Sequence, residues 1–368
     1  MFEIGKPAKG EKFFDRSKAK RTLGQLMTDH VDIMIKAPRR YGKTSLIKEV
    51  LGDSPYVYVD FMKRPNLNLI TEDILNQLFG IMGIKSFTEK AKHKLSELFA
   101  GYDIKSSIGL EDISLGIEII NSKEKDTCID FLKTLKIVEK LGKKSNQIFT
   151  IVFDEFQEIV KYECEGDILK MLRGELQHNE HIHTVFLGSV ESIMNNIFDD
   201  KNTPFYNYCR KMDLEPFDLN ELEQELSKLF SNKKIVFENQ DGLKNFLVKL
   251  GGHPANTMLA IQILYYIMLD KESVMLVKQE DLDEAYESAY YDRKDAIVQM
   301  ILRAKTKKHY HNVLYCIANE VEMELDSQSL YKARKGLVDM GLLINRGRDN
   351  YLIADNFLIE YLKENELA

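Results

Sequence analysis

The sequence lacks several features that mark well-known classes of protein. Its 368 residues contain no apolar run near the ~20 residues that a membrane-spanning helix needs. The first ten residues, M-F-E-I-G-K-P-A-K-G, have no apolar core of the secretory kind. We therefore expect a cytoplasmic protein that has no membrane partner.

The sequence also has few cysteines and no excess of positive charge. The four cysteines are scattered and form no C-x-x-C pair: Cys128, Cys164, Cys209 and Cys316. This spacing favours four reduced thiols over a disulfide framework or a zinc site. The net charge of −7 argues against a protein that coats nucleic acid by bulk electrostatics, although it leaves room for a local basic face.

The most informative segment that is present runs from residue 31 to residue 46, V-D-I-M-I-K-A-P-R-R-Y-G-K-T-S-L. A strand of the buried type leads into a loop that fits the form [AG]-x-x-x-x-G-K-[ST], and a helical pattern follows. In this context the backbone amides of the loop surround nucleotide phosphates, Lys43 supplies charge and the Thr44 hydroxyl is a ligand for Mg²⁺. A basic surface loop is the alternative. The predicted nucleotide contacts are Ala37, Pro38, Arg39, Arg40, Tyr41, Gly42, Lys43, Thr44 and Ser45.

A second apolar strand ends in two acids, I-F-T-I-V-F-D-E at 148–155. Asp154 is the natural partner of Mg²⁺, and Glu155 is placed to polarise an attacking water. Two acids after a strand can also simply begin a helix. Beside the phosphate loop, we prefer the catalytic interpretation.

A third strand, T-V-F-L-G-S at 184–189, ends in Ser189. Its hydroxyl can sense the γ-phosphate, which would make it catalytic, or it can cap the next helix. Both roles stay open, and one residue can serve both.

The wider pattern predicts three regions. Residues 1–217 form an α/β domain with a parallel sheet, whose strand candidates are Val31–Lys36, Tyr56–Asp60, Ile148–Phe153 and Thr184–Gly188. An insertion at about 62–146 holds amphipathic helices and a β-hairpin at 104–119. Residues 218–291 are predicted to form an all-α lid, in which Gly251-Gly252-His253-Pro254 interrupts the helical pattern. Residues 292–368 show the helix, turn, helix and β-wing order of a winged helix.

These motifs in this order, together with L-E-P-F and G-G-H-P, closely resemble the archaeal-type ATPases of the AAA+/STAND group of P-loop NTPases. The stretch S-L-Y-K-A-R-K-G-L-V-D-M-G-L-L is similar to the winged helix of that family and of origin-recognition ATPases. Phe14-Asp15-Arg16 is similar to the family's adenine-side segment. The resemblance implies ATP with Mg²⁺ and a nucleotide contact from Pro254 in the lid. A simple helix break at Gly251–Pro254 is the alternative.

The sequence departs from the family at one charged position. Many relatives carry an arginine where this chain has Tyr208, so Arg210 is the remaining candidate for an arginine finger. The paired Arg39-Arg40 can supply positive charge within the phosphate loop itself.

The winged helix offers candidate DNA contacts on its second helix and wing: Lys332, Arg334, Lys335, Arg346 and Arg348. Because the region is not basic overall, we favour a module that docks onto protein. The resulting expectation is a slow ATPase that acts as a nucleotide-dependent switch with an unnamed protein partner and forms a nucleotide-dependent homo-oligomer. The alternatives are an ATP-regulated DNA-binding protein of the origin-recognition type and a nucleotide-bound scaffold with negligible hydrolysis.

Overall fold

The computed structural model describes residues 6–81, 104–106, 117–119, 127–189, 191–239, 241–271, 275–347 and 350–365. In chain order the strands are β1 (Ile33–Lys36), β2 (Tyr56–Asp60), β3 (Ile104–Ser106), β4 (Ile117–Ile119), β5 (Phe149–Asp154), β6 (Ile182–Gly188), β7 (Arg210–Asp213), β8 (Val236–Phe237), β9 (Leu276–Val277), β10 (Leu343–Asn345) and β11 (Tyr351–Ile353).

The α-helices follow in the same order. They are α1 (Ser17–Thr28), α2 (Lys43–Leu51), α3 (Leu67–Ile81), α4 (Thr127–Ser145), α5 (Ile168–Leu176), α6 (Glu191–Phe198), α7 (Leu219–Asn232), α8 (Gly242–Leu250), α9 (Pro254–Leu269), α10 (Gln279–Lys305), α11 (Tyr310–Asn319), α12 (Ser327–Asp339) and α13 (Asn356–Glu364). None of these described helices is long and apolar enough to cross a membrane.

Five parallel strands form the main sheet, in the order β2-β5-β6-β1-β7. The four predicted strands are confirmed, and β6 separates the phosphate-loop strand β1 from the acid-bearing strand β5. The fifth strand, β7, lies at the edge of the sheet and is mostly exposed. Its sequence therefore has no apolar run that would predict a strand.

Both faces of this sheet are buried, as a parallel sheet requires. Alternate residues point to opposite faces, so Ile33 and Ile35 pack with α1 and α2 while Met34 packs on the other side with α3 and α4. The second face is rich in aromatic rings, with Phe153 and Phe186 stacked at 5.5 Å between ring centroids.

Within the insertion, β3 and β4 pair antiparallel, as predicted for the hairpin. The residues between these two strands lie outside the described ranges. The helices α3 and α4 on either side match the predicted helical spacing, and both bury apolar side chains against the sheet.

The prediction of four free thiols is wrong for one pair. The structure joins Cys128, in the first turn of α4, to Cys164 in a disulfide bond across a sequence separation of 36 residues. Sequence spacing alone does not show this pair, because a fold contact between α4 and the segment after β5 brings the two side chains together. Cys209 and Cys316 are free.

The C-terminal half is built mainly from helices, with a short parallel pair between β8 and β9 that the sequence did not suggest. Helix α10 runs continuously through residues 291 and 292, where a domain boundary was expected. Side chains before and after that point share one buried apolar cluster, including Leu264, Leu314 and Phe357. The β10–β11 hairpin follows α12 in the order expected for a wing.

Candidate functional site

The phosphate-loop segment curls around the ammonium group of Lys43. The Nζ atom of Lys43 donates hydrogen bonds to the carbonyl oxygens of Ala37 at 2.8 Å and Pro38 at 3.2 Å. Gly42 has φ of +85°, a conformation that L side chains rarely adopt, and α2 begins at the next residue. The amides in the first turn of α2 and the buried cation therefore lie together at the carboxyl end of β1.

Asp154 lies close to this loop although β6 runs between their two strands. The Thr44 hydroxyl donates to Asp154 Oδ2 at 2.9 Å, and the Tyr58 hydroxyl donates to the same oxygen. Burial raises the pKa of the Asp154 carboxyl, against the lowering effect of these two hydroxyl groups. A hydroxyl and a carboxylate oxygen are hard ligands of the kind that Mg²⁺ prefers, so Thr44 and Asp154 fit a magnesium ion.

The next residue, Glu155, has left-handed backbone geometry with φ of +51°. Its carboxylate accepts hydrogen bonds from the Ser189 hydroxyl at 2.6 Å and from the Gln157 side-chain amide. Gln157 is fully buried and its amide also lies 3.5 Å from the Ser189 hydroxyl oxygen. Glu155 and Ser189, predicted separately from two strands, therefore belong to one hydrogen-bonded group.

A cleft of about 680 Å³ lies beside these residues. One wall is the phosphate loop from Arg39 to Ser45 with Glu155. The opposite wall comes from the start of α9, including Pro254, and from Arg293 of α10. The N-terminal segment closes the remaining side with residues 6–8, 12–14 and 16. A cleft of this size is within the usual range for a small-molecule or cofactor ligand.

Arg16 forms hydrogen bonds that connect the N-terminal segment with two other parts of the chain beside this cleft. Its guanidinium group donates to the carbonyl oxygens of Tyr41 at 3.2 Å and Pro216 at 3.2 Å, and also to that of Glu215. It also lies over the ring of Phe217, 4.9 Å from the centroid. Burial lowers the pKa of Arg16 to about 10, so the side chain still carries its charge at neutral pH.

The Gly251-Gly252-His253-Pro254 segment interrupts the helical structure between α8 and α9, and its Pro254 lines the cleft. A side chain at Gly252 would approach the carbonyl oxygen of Phe217 to 2.9 Å, so close backbone packing requires glycine there. His253 caps α9 by accepting the backbone N–H of Asn256 at its Nδ1 atom, at 3.3 Å. The helical structure is interrupted here and Pro254 lines the cleft, while its contact with a nucleotide stays a prediction.

The C-terminal hairpin unit contacts the phosphate loop directly. The buried Tyr41 hydroxyl donates to the carbonyl oxygen of Ala354 at 2.9 Å, and the Tyr41 ring meets the His253 ring edge-on at 5.2 Å between centroids. Ile344 of β10 packs against the apolar cluster beside β1. The loop that would cradle phosphates is therefore also part of the packing interface with the C-terminal unit.

The predicted DNA contacts have different surroundings. Lys332 and Lys335 on α12 are exposed. Arg346 forms an ion pair with Glu215, and the Arg334 guanidinium lies 4.9 Å from the centroid of the Tyr351 ring. Arg348 lies outside the described residues. Helix α12 itself packs against α6 of the α/β region.

The candidate finger residue Arg210 is exposed at the start of β7. Because β7 runs parallel to β1, Arg210 lies at the amino end of the sheet, pairing with Ile33, and away from the cleft of its own chain. A finger role would thus require another molecule.

Sequence reasoning missed several residues in or beside the cleft. Tyr58, Gln157 and Arg293 carry no motif, and each reaches the cleft or its acids only through the folded arrangement. The alternation in Y-V-Y-V-D, which places Tyr58 and Asp60 on one face of β2, is the one signal that could have pointed to Tyr58.

No family model matches the sequence, and neither does any curated protein. Solved structures do match. The Walker-type ATPase PABY2304 of Pyrococcus abyssi is 18% identical over 98% of this chain and 99% of that chain, with a TM-score of 0.68. The ORC2 protein of Aeropyrum pernix is 14% identical over 96% of this chain and 95% of that chain, with a TM-score of 0.57.

The chain has the fold of an AAA+ P-loop ATPase. The resemblance to archaeal-type and origin-recognition ATPases that the motifs suggested is thereby confirmed at the level of the fold. In this AAA+ arrangement, the carboxyl edge of the central strands carries the phosphate loop, Asp154 and Ser189, where ligands of open α/β sheets bind.

Proposed function

We propose that this chain binds ATP with Mg²⁺ in the cleft beside Lys43 and hydrolyses it slowly as a nucleotide-dependent switch. The observation that carries the proposal is the meeting of Thr44 and Asp154 at 2.9 Å, next to the phosphate loop. The ORC2 protein with the same fold was solved in ADPNP-ADP complexes, which supports a nucleotide as the ligand.

Each residue then has a distinct role. Lys43 neutralises phosphate charge, and it exchanges its bonds to the loop carbonyls for bonds to phosphate oxygens. Thr44 and Asp154 hold Mg²⁺, which neutralises charge on the phosphates. Glu155 accepts a proton from, or orients, the attacking water, and Ser189 keeps that carboxylate in place while it monitors the terminal phosphate.

Glu155 is held by Ser189 and Gln157 in this structure, so its carboxylate must be shared between these donors and a water molecule. Such sharing weakens the acceptor available to water, which fits slow turnover. Slow hydrolysis suits a switch, because the nucleotide-bound state persists long enough for a partner to recognise it.

Residues 218–291 are proposed as the lid and residues 292–368 as a winged helix that docks onto protein. The packing of α12 on α6 and the Arg346–Glu215 ion pair support an intramolecular docking role, because they use surfaces that a DNA-binding unit would leave open. The external protein partner and a nucleotide-dependent homo-oligomer remain predictions. Capture of partners by Glu155→Gln with ATP present would test the first of these.

The binding claim is tested with Lys43→Ala and the matched control Lys18→Ala, an exposed lysine on α1. We expect Lys43→Ala to lose most Mg-ATP affinity, while Lys18→Ala retains it. Equal affinity in Lys43→Ala and wild type would rule out the phosphate-loop interpretation.

The hydrolysis claim is tested with Glu155→Gln and the matched control Glu158→Gln. We expect Glu155→Gln to bind Mg-ATP and to lose turnover by about a hundredfold or more, as removal of a general base does. Glu158 pairs with Lys161 in the short 3-10 helix Phe156–Lys161 that follows Glu155, and its substitution should leave turnover intact. Turnover preserved in Glu155→Gln would remove Glu155 from the mechanism, and no turnover in wild type would favour the scaffold alternative.

A further inference from the structure

Tyr58 brings a phenol hydroxyl to the acid that is proposed to hold Mg²⁺. It lies in the middle of β2, whereas Asp154 ends the neighbouring strand β5. The Tyr58 hydroxyl donates to Asp154 Oδ2, which also accepts the Thr44 hydroxyl at 2.9 Å. A phenol keeps its proton at neutral pH, so Tyr58 is a donor to this carboxylate. A third side chain therefore adjoins the two that fit the metal ion.

The Asp154 carboxylate is held at both of its oxygen atoms. Oδ1 accepts the backbone N–H of Glu155 at 2.9 Å, while Oδ2 accepts the two hydroxyl groups. Asp154 is 5% exposed, so water has little access to replace a lost donor. Mg²⁺ requires near-ideal octahedral geometry, and hydrogen bonds of this kind orient the carboxylate that serves it. The orientation of Asp154 therefore depends on the position of Tyr58.

Tyr58 is itself fixed through its backbone. Strand β2 forms an edge of the main sheet, and the side chain of Gln77 from α3 covers its outer side at Tyr58. Gln77 Oε1 accepts the N–H of Tyr58 at 2.8 Å, and Gln77 Nε2 donates to the Tyr58 carbonyl oxygen at 2.7 Å. The same Nε2 atom donates to the carbonyl oxygen of Asp73, one turn earlier in α3, at 3.1 Å. This pair of bonds replaces a neighbouring strand and limits the movement of Tyr58.

We propose that Tyr58 is a positioning residue for the magnesium site: its hydroxyl orients the Asp154 carboxylate, and the two bonds from Gln77 keep Tyr58 in place. The inference rests on the proposed binding of Mg-ATP and deepens it, because it assigns control of metal affinity to residues outside the phosphate loop and the acid pair. If Tyr58 only satisfied a buried carboxylate, it would affect stability and leave the effect of Mg²⁺ on nucleotide binding unchanged.

The role is tested by the affinity of Tyr58→Phe for ATP, measured once with Mg²⁺ and once with EDTA in its place. We expect the affinity with Mg²⁺ to fall about tenfold or more, as loss of a hydrogen-bond partner of a metal ligand does. The affinity with EDTA should equal that of wild type, because the hydroxyl acts through the metal site. The matched control is Tyr56→Phe, two residues earlier on the same face of β2, which should change neither affinity.

The metal itself is measured with Mn²⁺ as the probe. Mn²⁺ is titrated into the complex of the protein with ADP, and electron paramagnetic resonance reports the free ion. Tyr58→Phe should lower the affinity for Mn²⁺ by a similar factor. Gln77→Ala keeps the hydroxyl but removes both bonds to the Tyr58 backbone, so we expect a smaller loss of the same kind. Its matched control is Asn76→Ala, an exposed neighbour on α3, which should behave like wild type.

An equal effect of Mg²⁺ in Tyr58→Phe and in wild type overturns the positioning role. Tighter binding of Mn²⁺ by Tyr58→Phe also overturns it, because the hydroxyl would then act by weakening the charge of Asp154 rather than by orienting it. Wild-type affinity for Mn²⁺ in Gln77→Ala overturns the part assigned to Gln77. Wild type that binds ATP equally with Mg²⁺ and with EDTA, or not at all, overturns the proposed function itself, a result that is distinct because it needs no variant.

Discussion

A buried carboxyl group joins the N-terminal segment to α7, and its charge should control stability. Asp15 is 4% exposed. Its Oδ2 atom accepts the backbone N–H of Asp218 at 3.0 Å, while Oδ1 has no hydrogen-bond partner among the described residues. Burial raises the pKa of Asp15 from 3.8 to about 7. The folded protein therefore holds a proton on Asp15 at pH values where the unfolded chain has released it.

The sign of the effect on stability follows from this difference. Below pH 3.8 both states are protonated and the folded state keeps its full stability, whereas between about pH 4 and 7 stability falls as the pH rises. A tenfold difference in proton affinity is worth about 1.4 kcal/mol, so the loss is about 4 kcal/mol at most. Glu221, whose pKa is lowered, contributes stability that is already complete above pH 4.5.

Two histidines change the stability in the opposite direction over part of this pH range. Burial lowers the pKa of His183 and His253, so they add stability as the pH rises toward 6.5. The effect of Asp15 is therefore isolated by comparing Asp15→Asn with wild type at each pH. Asparagine keeps the shape and the acceptor for the N–H of Asp218 but carries no charge.

The assay is urea unfolding followed by circular dichroism at pH 5 and pH 8. Asp15→Asn should be more stable than wild type by about 2–4 kcal/mol at pH 8, with a gain of about 1–2 kcal/mol at pH 5. Asp29→Asn, an exposed position after α1, is the matched control and should behave like wild type at both pH values. A gain from Asp15→Asn of equal size at pH 5 and pH 8 would refute the reasoning.

Three further predictions concern single side chains. Tyr41→Phe leaves the Ala354 carbonyl without its donor and should lower the free energy of unfolding by about 1–3 kcal/mol in urea denaturation, whereas an unchanged value would mean that water replaces the hydroxyl. Phe186→Ala empties the centre of the aromatic cluster and should cost about 3–5 kcal/mol in the same assay, with a loss below 1 kcal/mol indicating that the cluster collapses around the gap. Asp154→Asn should raise the melting temperature in Mg²⁺-free buffer, because burial of the Asp154 carboxyl destabilises its charged form, and should abolish Mg²⁺-dependent nucleotide affinity. A lower melting temperature would contradict that account.

Much of the α/β region could be predicted because its signals are local. The strands β1, β2, β5 and β6 are short apolar runs that end in polar residues, and buried parallel strands have this pattern. The phosphate loop and the Asp154-Glu155 pair occupy consecutive positions, so their types and spacing suffice to predict them. Edge strand β7 has no such signal, since its side chains meet solvent.

The domain boundaries within the C-terminal half were harder to predict from the sequence. Helices and hairpin were predicted from periodicity and turn residues, but α10 continues through the expected boundary at residues 291 and 292. Periodicity reports which face of a helix is buried and does not tell which neighbour buries it. The apolar core shared by the helices before and after residues 291 and 292, and the packing of α12 on α6, are therefore properties of the assembled fold.

The sequence alone was enough to predict a nucleotide site, because a glycine-lysine-threonine turn after a buried strand and an acid pair after another can be recognised from neighbouring residues. The tertiary structure decided which side chains share the site. Strand order places Ser189 against Glu155, the packing of α10 brings Arg293 to the cleft, and the packing of α4 joins Cys128 to Cys164. These contacts link residues far apart in the chain, and such links depend on how whole elements pack, which no local pattern encodes.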